Sequence, residues 1–157
     1  MSFNSTIIIK PIDKFLQIAE LDRRVWVNSA DAQFVPDGEH SWRVWVEHSF
    51  VCASVTTDGA VIGALCAFDT SNPELHFAHK IFIDEEYTRK GIGSQLLGAY
   101  CEYLDTVGKA SAMTVSPENT ASINLGNKYG FVTESMARGY YRPAEDRLIR
   151  VRPRKVI

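Results

Sequence analysis

The chain of 157 residues lacks several features that would assign it to a class directly. No apolar run approaches the ~20 residues that a membrane-spanning helix needs. The net charge is only −2 at pH 7, so the sequence has no global signature of a nucleic-acid or membrane binder. Repeats, low-complexity segments and linkers are also absent. We therefore expect a single domain covering residues 1–157.

Cysteines are few and form no recognisable pattern. Cys52, Cys66 and Cys101 are odd in number, lie in apolar stretches and lack metal-ligand spacing. We expect these thiols to be reduced and buried, and we expect no metal site. The apolar run at residues 7–9 is too short for the core of a signal peptide, so the sequence predicts a cytoplasmic protein.

Hydrophobic periodicity predicts the order strand, two helices, three strands, helix, strand, helix, two strands. Asp13 and Ser41 are the expected N-caps of the first two helices, and Asp58-Gly59 is the strongest hairpin signal. Residues 28–39 are predicted to be loop-like. Runs of strands with interspersed helices indicate a mixed α/β or α+β sheet. The predicted strands cover residues 6–10, 50–56, 61–68, 75–83, 109–115 and 147–151, with a further strand starting near residue 131.

The most informative stretch, residues 81–103, joins a predicted strand to a predicted amphipathic helix. Helical spacing of apolar residues begins at Gly91, and Arg89 and Lys90 just before it supply positive charge. Two glycines allow a tight turn and the close approach of a ligand. Because free amides and the positive end of the helix dipole lie at a helix start, this turn is predicted to bind an anion.

Two common nucleotide-binding motifs do not fit this turn. A P-loop needs Lys and then Ser or Thr directly after its second glycine, where Ile92 or Ser94 stands. A dinucleotide fingerprint needs a third Gly or Ala where Leu96 stands. The sequence alone also allows a glycine-bearing turn without a ligand.

The turn resembles the pyrophosphate loop of the GNAT superfamily of acetyl-CoA-dependent N-acetyltransferases. That loop reads Gln/Arg-x-x-Gly-x-Gly/Ala; Gly91 and Gly93 match it, and Thr88 replaces the leading residue. Residues 119–131 resemble a second signature of the family, roughly Asn-x-x-A-x-x-L-Y-x-K-x-G-F. The tyrosine of that signature, which in the family commonly protonates the departing thiolate, falls on Gly126 here. Either a closely approaching partner or a weakened helix could explain this glycine.

The resemblance covers nearly the whole chain and implies a GNAT fold, a mixed and mostly antiparallel sheet of about seven strands flanked by about four helices. It implies acetyl-CoA as the acetyl donor. A backbone amide near Ile81 or Phe82 suits the oxyanion of the attacked thioester. The residues expected to bind the cofactor are Ile81, Phe82, Ile83, Arg89, Lys90, Gly91, Ile92, Gly93, Ser94, Asn119 and Lys128.

Proton transfer needs a base for the acceptor amine and gains from an acid for the sulfur. His79 is the only titratable group on its face of the strand at residues 75–83, and histidine is suited to proton transfer near pH 7. In the serotonin N-acetyltransferase branch of the family, histidines occur at this point of the same strand, and one of them matches His79. The alternative is a core histidine. Tyr140 and Tyr141 are the candidates for the acid, or else an aromatic pair at a strand edge.

The acceptor stays open at this point. Residues 138–148 resemble a segment of the ribosomal-protein-alanine and related protein N-terminal acetyltransferases, but Thr114 stands where that branch has a glutamate. A small-molecule amine or amino acid is favoured, a protein amino terminus is the alternative, and Thr88 and Gly126 also allow a non-catalytic acyl-CoA-binding domain. Three tryptophans, Trp26, Trp42 and Trp45, could line an acceptor site or fill the core. A homodimer is possible.

Overall fold

A computed structural model describes residues 4–27 and 36–156. Seven strands form one sheet in the order β1-β2-β3-β4-β5-β7-β6. The strands are β1 Ser5–Ile9, β2 Phe50–Thr56, β3 Val61–Asp69, β4 Leu75–Ile83, β5 Ala110–Val115, β6 Val132–Ala137 and β7 Arg147–Arg152. The helices are α1 Phe15–Val27, α2 Glu39–His48, α3 Ile92–Val107 and α4 Thr120–Lys128, with short 3₁₀ helices at Ile12–Lys14 and Glu85–Tyr87.

This architecture confirms the predicted fold class and the predicted order of elements. β4 pairs in parallel with β5, whereas β1 with β2, β2 with β3, β5 with β7 and β6 with β7 are antiparallel. The bounds of β2 and β4 agree with the sequence prediction residue for residue, because β-branched and aromatic runs end at clear turn signals.

The expected helix caps are wrong. Asp13 lies inside the first 3₁₀ helix, and α2 begins two residues before Ser41, with Gly38 at its N-cap and no capping side chain. The predicted loop at residues 28–39 is described only from residue 36 onward, and residues 28–35 lie outside the described part of the chain. The predicted hairpin between β2 and β3 is present, and Gly59 has a φ of 88°, which glycine adopts readily.

The chain divides into two compact units. One comprises residues 1–67 and 80–100, and the other comprises residues 68–79 and 101–157. β3, β4 and α3 each contribute residues to both units.

In the unit of residues 1–67 and 80–100, the first turns of α3 pack directly on β3. Gly63 makes this possible, because a Cβ there would lie 3.1 Å from a side-chain carbon of Ile92 and 3.2 Å from one of Leu96. The Cys52 thiol donates to the carbonyl oxygen of Leu96 at 3.8 Å, and Phe50 packs on Tyr100. The helix start that follows the predicted anion-binding turn is thus fixed against the sheet.

A buried charged network also holds this unit together. The Asp22 carboxylate of α1 is fully buried and accepts hydrogen bonds from the Lys80 ammonium at 3.0 and 3.1 Å. It also accepts from the Asp37 backbone N–H at 3.0 Å and the Trp42 indole N–H at 3.1 Å. A buried carboxylate is tolerated only when it is paired in this way, so Asp22 ties α1 to α2 and to β4.

In the unit of residues 68–79 and 101–157, β7 lies between β5 and β6. Arg152 of β7 donates to the Asp105 carboxylate at 2.9 and 3.3 Å and to the Tyr129 carbonyl oxygen at 2.8 Å. Phe131 is almost fully buried. These contacts fix the end of α4 to β7. Among the described helices, none combines the length and the apolar character that crossing a membrane would require.

Candidate functional site

The predicted anion-binding turn lies between β4 and α3, in the unit of residues 1–67 and 80–100. After β4 ends at Ile83, the Asp84 side chain caps the 3₁₀ helix by accepting from the Glu86 N–H at 3.1 Å. Arg24 donates to the same carboxylate at 3.0 Å. The turn therefore leaves the sheet at a fixed point and enters α3 at Ile92.

The backbone of this turn is left-handed at two positions. Arg89 has a φ of 64° and Gly91 has a φ of 80°. A left-handed conformation costs a non-glycine residue about 1–2 kcal/mol, and such strain is concentrated at functional sites. A Cβ at Gly91 would meet no atom of the described residues within 4 Å. The main chain here borders open space that a ligand could use.

Main-chain amides of the first turn of α3 supply the donors. The Gln95 N–H bonds to the Gly91 carbonyl oxygen at 3.1 Å, so the helical ladder begins at that carbonyl. The preceding amides have no intrahelical acceptor, and the helix dipole adds positive potential. Since the Ile92 side chain is almost fully buried, only its backbone can serve a ligand. Arg89 and Lys90 are exposed, and this donor set fits a diphosphate.

Thr88, which replaces the Gln or Arg of the family loop, has a local role. Its hydroxyl donates to the Glu85 carbonyl oxygen at 3.0 Å and so closes the 3₁₀ turn. Arg89 and Lys90, the next two residues, are both exposed.

The second half of β4 contains the residues that were predicted to bind the coenzyme through their main chain. The register of β4 with β5 covers three pairs, Leu75–Phe77 with Ala110–Ala112, and β4 continues through residues 78–83. The Phe82 ring is packed edge-on against Trp42 at 5.7 Å. Phe82 can therefore contribute only main-chain atoms.

The predicted base His79 belongs to the other unit. Its ring lies 5.5 Å from the Phe68 ring, and Phe77 stacks on the same ring at 6.0 Å. Phe77 and His79 therefore share a face, as the alternation of the strand predicts. The imidazole is partly exposed, so it is not sealed in the core.

The structure brings the two candidate tyrosines together on the segment between β6 and β7. Their rings meet edge-to-face at 4.7 Å, and both side chains are about half exposed. The Tyr141 hydroxyl lies 3.2 Å from the Thr114 hydroxyl of β5, and the Arg147 guanidinium lies 5.1 Å from the Tyr141 ring centre. No such contact orients the Tyr140 hydroxyl among the described residues. The two tyrosines therefore differ in that the Tyr141 hydroxyl has a hydrogen-bond partner and its ring contacts a guanidinium.

The two cofactor-binding candidates on α4 lie at its opposite ends. Asn119 is the N-cap, and its side-chain oxygen accepts from the Ser122 N–H at 3.1 Å, which leaves its side-chain NH₂ as a donor. Lys128 is exposed in the last turn, with its ammonium 5.6 Å from the Tyr129 ring centre.

Gly126, at the family's tyrosine position, is explained by a residue that the sequence analysis did not identify. Arg150 of β7 reaches this point of α4, and a Cβ on Gly126 would lie 2.6 Å from its Nη1 atom. A glycine in mid-helix, where a large residue is expected, was the signal that a partner approaches closely. Sequence could not name Arg150 because it lies on another element.

The three cysteines are buried and free, as predicted. Burial raises the pKa of Cys52 to about 12 and that of Cys101 to about 11, and it raises the pKa of Cys66 further. Thiolate nucleophiles are therefore not available at neutral pH. No group of three metal-ligating side chains is found within residues 4–27 and 36–156.

Comparison with known proteins gives a consistent result. Residues 15–131 match the Acetyltransferase (GNAT) family. No curated protein matches the sequence. The ribosomal-protein-S18-alanine N-acetyltransferase from Escherichia coli is 20% identical with a TM-score of 0.80, covering 98% of this chain and 96% of that one.

Two structures solved with acetyl-CoA show the same fold. YncA of Salmonella typhimurium, with its cofactor acetyl-CoA, has a TM-score of 0.83 and 17% identity, covering 98% of this chain and 96% of that one. The phosphinothricin acetyltransferase of Sinorhizobium meliloti has a TM-score of 0.80 and 20% identity, covering 96% of this chain and 88% of that one. Acetyl-CoA is the cosubstrate of the family, and the family match covers most of the sequence. The chain therefore belongs to the GNAT family of acetyltransferases.

Proposed function

We propose that this acetyltransferase moves the acetyl group of acetyl-CoA to a primary amine by direct attack, with a small-molecule amine or amino acid as the favoured acceptor. The observation that carries the proposal is the turn at residues 88–94. It combines left-handed backbone at Arg89 and Gly91, two exposed cations and the amides of a helix start. These groups suit a diphosphate better than any neutral ligand.

The coenzyme would be held mostly by main-chain atoms. In this assignment Gly91, Ile92, Gly93 and Ser94 offer amides to the diphosphate. The backbone of Ile81–Ile83 is assigned further main-chain contacts with the coenzyme. Asn119 and Lys128 add polar side-chain contacts. Bound acetyl-CoA would supply an acetyl group already activated as a thioester, so the chain needs no nucleophile of its own.

His79 is assigned as the base for the acceptor. An alkyl amine has a pKa of ~10 and is mostly protonated at neutral pH, so a proton must leave its nitrogen before attack. Imidazole Nδ1 or Nε2 can take that proton, directly or through one water. The partial exposure of the His79 ring supports this role over that of a core histidine.

Tyr141 is assigned as the acid, and Tyr140 is not. A proton donor must be held in place, and the Thr114 hydroxyl at 3.2 Å orients the Tyr141 hydroxyl. The Arg147 guanidinium beside its ring limits how far the ring can turn. The Tyr140 hydroxyl has no such contact among the described residues, so we assign its half-exposed ring to the acceptor instead.

A second candidate acceptor is a protein amino terminus. The exposed tyrosine pair favours it, since a peptide needs an accessible surface beside the reacting groups. The likeness to the ribosomal-protein-S18-alanine N-acetyltransferase, at 20% identity, is one of fold. A non-catalytic acyl-CoA-binding role is a third candidate, favoured by Thr88 and Gly126 at family signature positions.

A coupled binding and turnover experiment tests these candidates. Coenzyme A and acetyl-CoA affinities are measured by calorimetry. Thiol release is then followed with a panel of amino acids, alkyl amines, aryl-alkyl amines and peptides with free amino termini, and each product is identified by mass. Turnover with a small amine supports the proposal, turnover on peptides alone supports the second candidate, and tight binding without turnover supports the third. Absence of coenzyme binding would refute all three.

A further inference from the structure

The Arg150 side chain of β7 is bonded on several sides inside the fold. The residue is only 2% exposed. Its Nη1 donates to the Ile123 carbonyl oxygen at 2.9 Å, and its Nη2 donates to the Phe131 carbonyl oxygen at 2.9 Å and to the Asn127 side-chain oxygen. Its Nε donates to the Thr133 hydroxyl at 3.2 Å. One guanidinium thus joins α4, the turn after it, β6 and β7.

Gly126 is the residue that makes room for this guanidinium. A Cβ at position 126 would lie 2.6 Å from Nη1 and 3.7 Å from Cζ of Arg150. A free side-chain end could swing away cheaply, but this one would have to break its bonds to Ile123, Asn127 and Phe131. Glycine at position 126 therefore makes room for the guanidinium, although glycine is a poorer helix former than alanine.

The acceptors suit a buried cation. Two acceptors, the Ile123 carbonyl oxygen and the Asn127 side-chain oxygen, belong to α4, and the third, the Phe131 carbonyl oxygen, lies just beyond its C-terminal end, where the helix dipole is negative. A buried guanidinium without such acceptors would be strongly unfavourable. Arg150 therefore links β7 to α4 and to the turn that follows α4.

We propose that Arg150 is a positioning residue for coenzyme binding, acting through α4 on Asn119 and Lys128 at the two ends of that helix. This inference rests on the proposed function, because it assigns the placement of α4 a role in holding acetyl-CoA. Arg150 itself does not touch the coenzyme. It sets where α4 lies on the sheet. It can do so because Gly126 has no side chain that would displace the guanidinium.

Two substitutions of Arg150 test the positioning role. Arg150→Met removes the donors and keeps most of the side-chain length, and Arg150→Lys keeps the charge with a single donor group. Coenzyme A affinity is measured by calorimetry at a temperature where circular dichroism shows each variant to be folded. We expect roughly a tenfold loss of affinity for Arg150→Met and a smaller loss for Arg150→Lys, with the acceptor KM changed less than about twofold.

Asp105→Asn is the control. The Asp105 carboxylate of α3 accepts from Arg152 of β7 at 2.9 and 3.3 Å, so this change weakens an ion pair of β7 and leaves the bonds of Arg150 to α4 in place. We expect it to lower the melting temperature without a comparable loss of coenzyme affinity. Equal coenzyme affinity in wild type and folded Arg150→Met would overturn the positioning role.

A double-mutant cycle tests the contact itself. Gly126→Ala in the wild type should lower the melting temperature by about 3–6 °C, because the methyl group displaces the guanidinium. In the Arg150→Met background the same change should be neutral or raise it by about 2 °C, since alanine is the better helix former. The same effect in both backgrounds would show that Arg150 does not determine Gly126.

The failures are distinguishable. If the wild type binds no coenzyme, the proposed function and the positioning role both fail, while the cycle at Gly126 still reports on the contact. If the wild type binds coenzyme and folded Arg150→Met binds it equally well, only the positioning role fails.

Discussion

Gly91 and Gly108 flank α3 at its two ends, and both have a left-handed backbone conformation. Their φ values are 80° and 68°, and at either position a Cβ would meet no described atom within 4 Å. Alanine at either site should therefore cost about 1 kcal/mol of stability through backbone strain alone. Only Gly91 borders the amides assigned to the diphosphate.

We predict that Gly91→Ala weakens coenzyme A binding about tenfold and that Gly108→Ala leaves it within twofold. The alanine at position 91 shifts φ toward negative values and turns the first amides of α3 away from the ligand. Calorimetry gives the affinities, and urea unfolding should show similar stability losses for both variants. Equal affinities would remove the turn from the coenzyme site.

The two neighbouring tyrosines differ in the fixation of their hydroxyls. We predict that Tyr141→Phe lowers kcat by about 10- to 100-fold with little change in coenzyme affinity, because the oriented proton donor is lost. Tyr140→Phe should leave kcat within about twofold. Thr114→Val, which removes the partner of the Tyr141 hydroxyl, should give an intermediate loss. The assignment is wrong if the two phenylalanine variants behave alike in steady-state assays.

At the scale of elements, Asp22 has the largest expected effect on stability. Removing one partner of a buried ion pair leaves the other charge poorly compensated, at a cost of about 3–5 kcal/mol. We predict a loss near the lower end for Asp22→Ala, because Lys80 keeps its pair with Asp37 at 2.7 Å. Urea unfolding measures it.

The surface pair Arg43–Glu47 provides the control for Asp22. Both side chains are 43% exposed, and such a pair contributes about 0.3–0.5 kcal/mol. Glu47→Ala should therefore change the free energy of unfolding by less than about 1 kcal/mol. A loss for Asp22→Ala no larger than this would show that the network does not hold α1, α2 and β4 together.

Elements were predictable from the sequence where local signals agree, and contacts between elements were not. β4 has its predicted bounds because an apolar strand pattern runs between Pro73 and the acidic turn after Ile83. The start of α2 was misplaced because Gly38 caps it without a side chain, so Ser41 was a false signal. Arg150 and Gly126 are 24 positions apart in sequence, and periodicity carries no information on which strand residue reaches a helix.

The candidate site divides in the same way. The turn between β4 and α3 could be predicted as a structural element, because its glycines, cations and helix start are consecutive in the chain. The contacts of the Tyr141 side chain could not be predicted, because they involve Thr114 and Arg147 of other strands.

At the scale of the whole molecule, acid stability should depend on His76. This residue is 2% exposed and its ring packs against Tyr103. Burial lowers the pKa of His76 below the ordinary value for histidine, and the Asp69 carboxylate opposes this only in part. The folded chain therefore holds His76 neutral at pH values where the unfolded chain protonates it.

We predict that the free energy of unfolding falls as the pH drops below about 6.5, because the unfolded state binds the additional proton there. The contribution of His76 to this slope extends down to its lowered folded-state pKa. His76→Gln should flatten the melting temperature between pH 7 and 5. His48→Gln, at a side chain that is 68% exposed, is the control. An unchanged slope in His76→Gln would assign the acid sensitivity to other groups.

The buried thiols of Cys52, Cys66 and Cys101 have a practical consequence. Since their raised pKa values suppress the thiolate at neutral pH, alkylating dyes should leave them unmodified in the folded chain. A single introduced cysteine, such as Glu118→Cys at the exposed entry to α4, would then take up a fluorophore selectively. Ligand titrations could be followed by emission at that one place without first replacing the native cysteines.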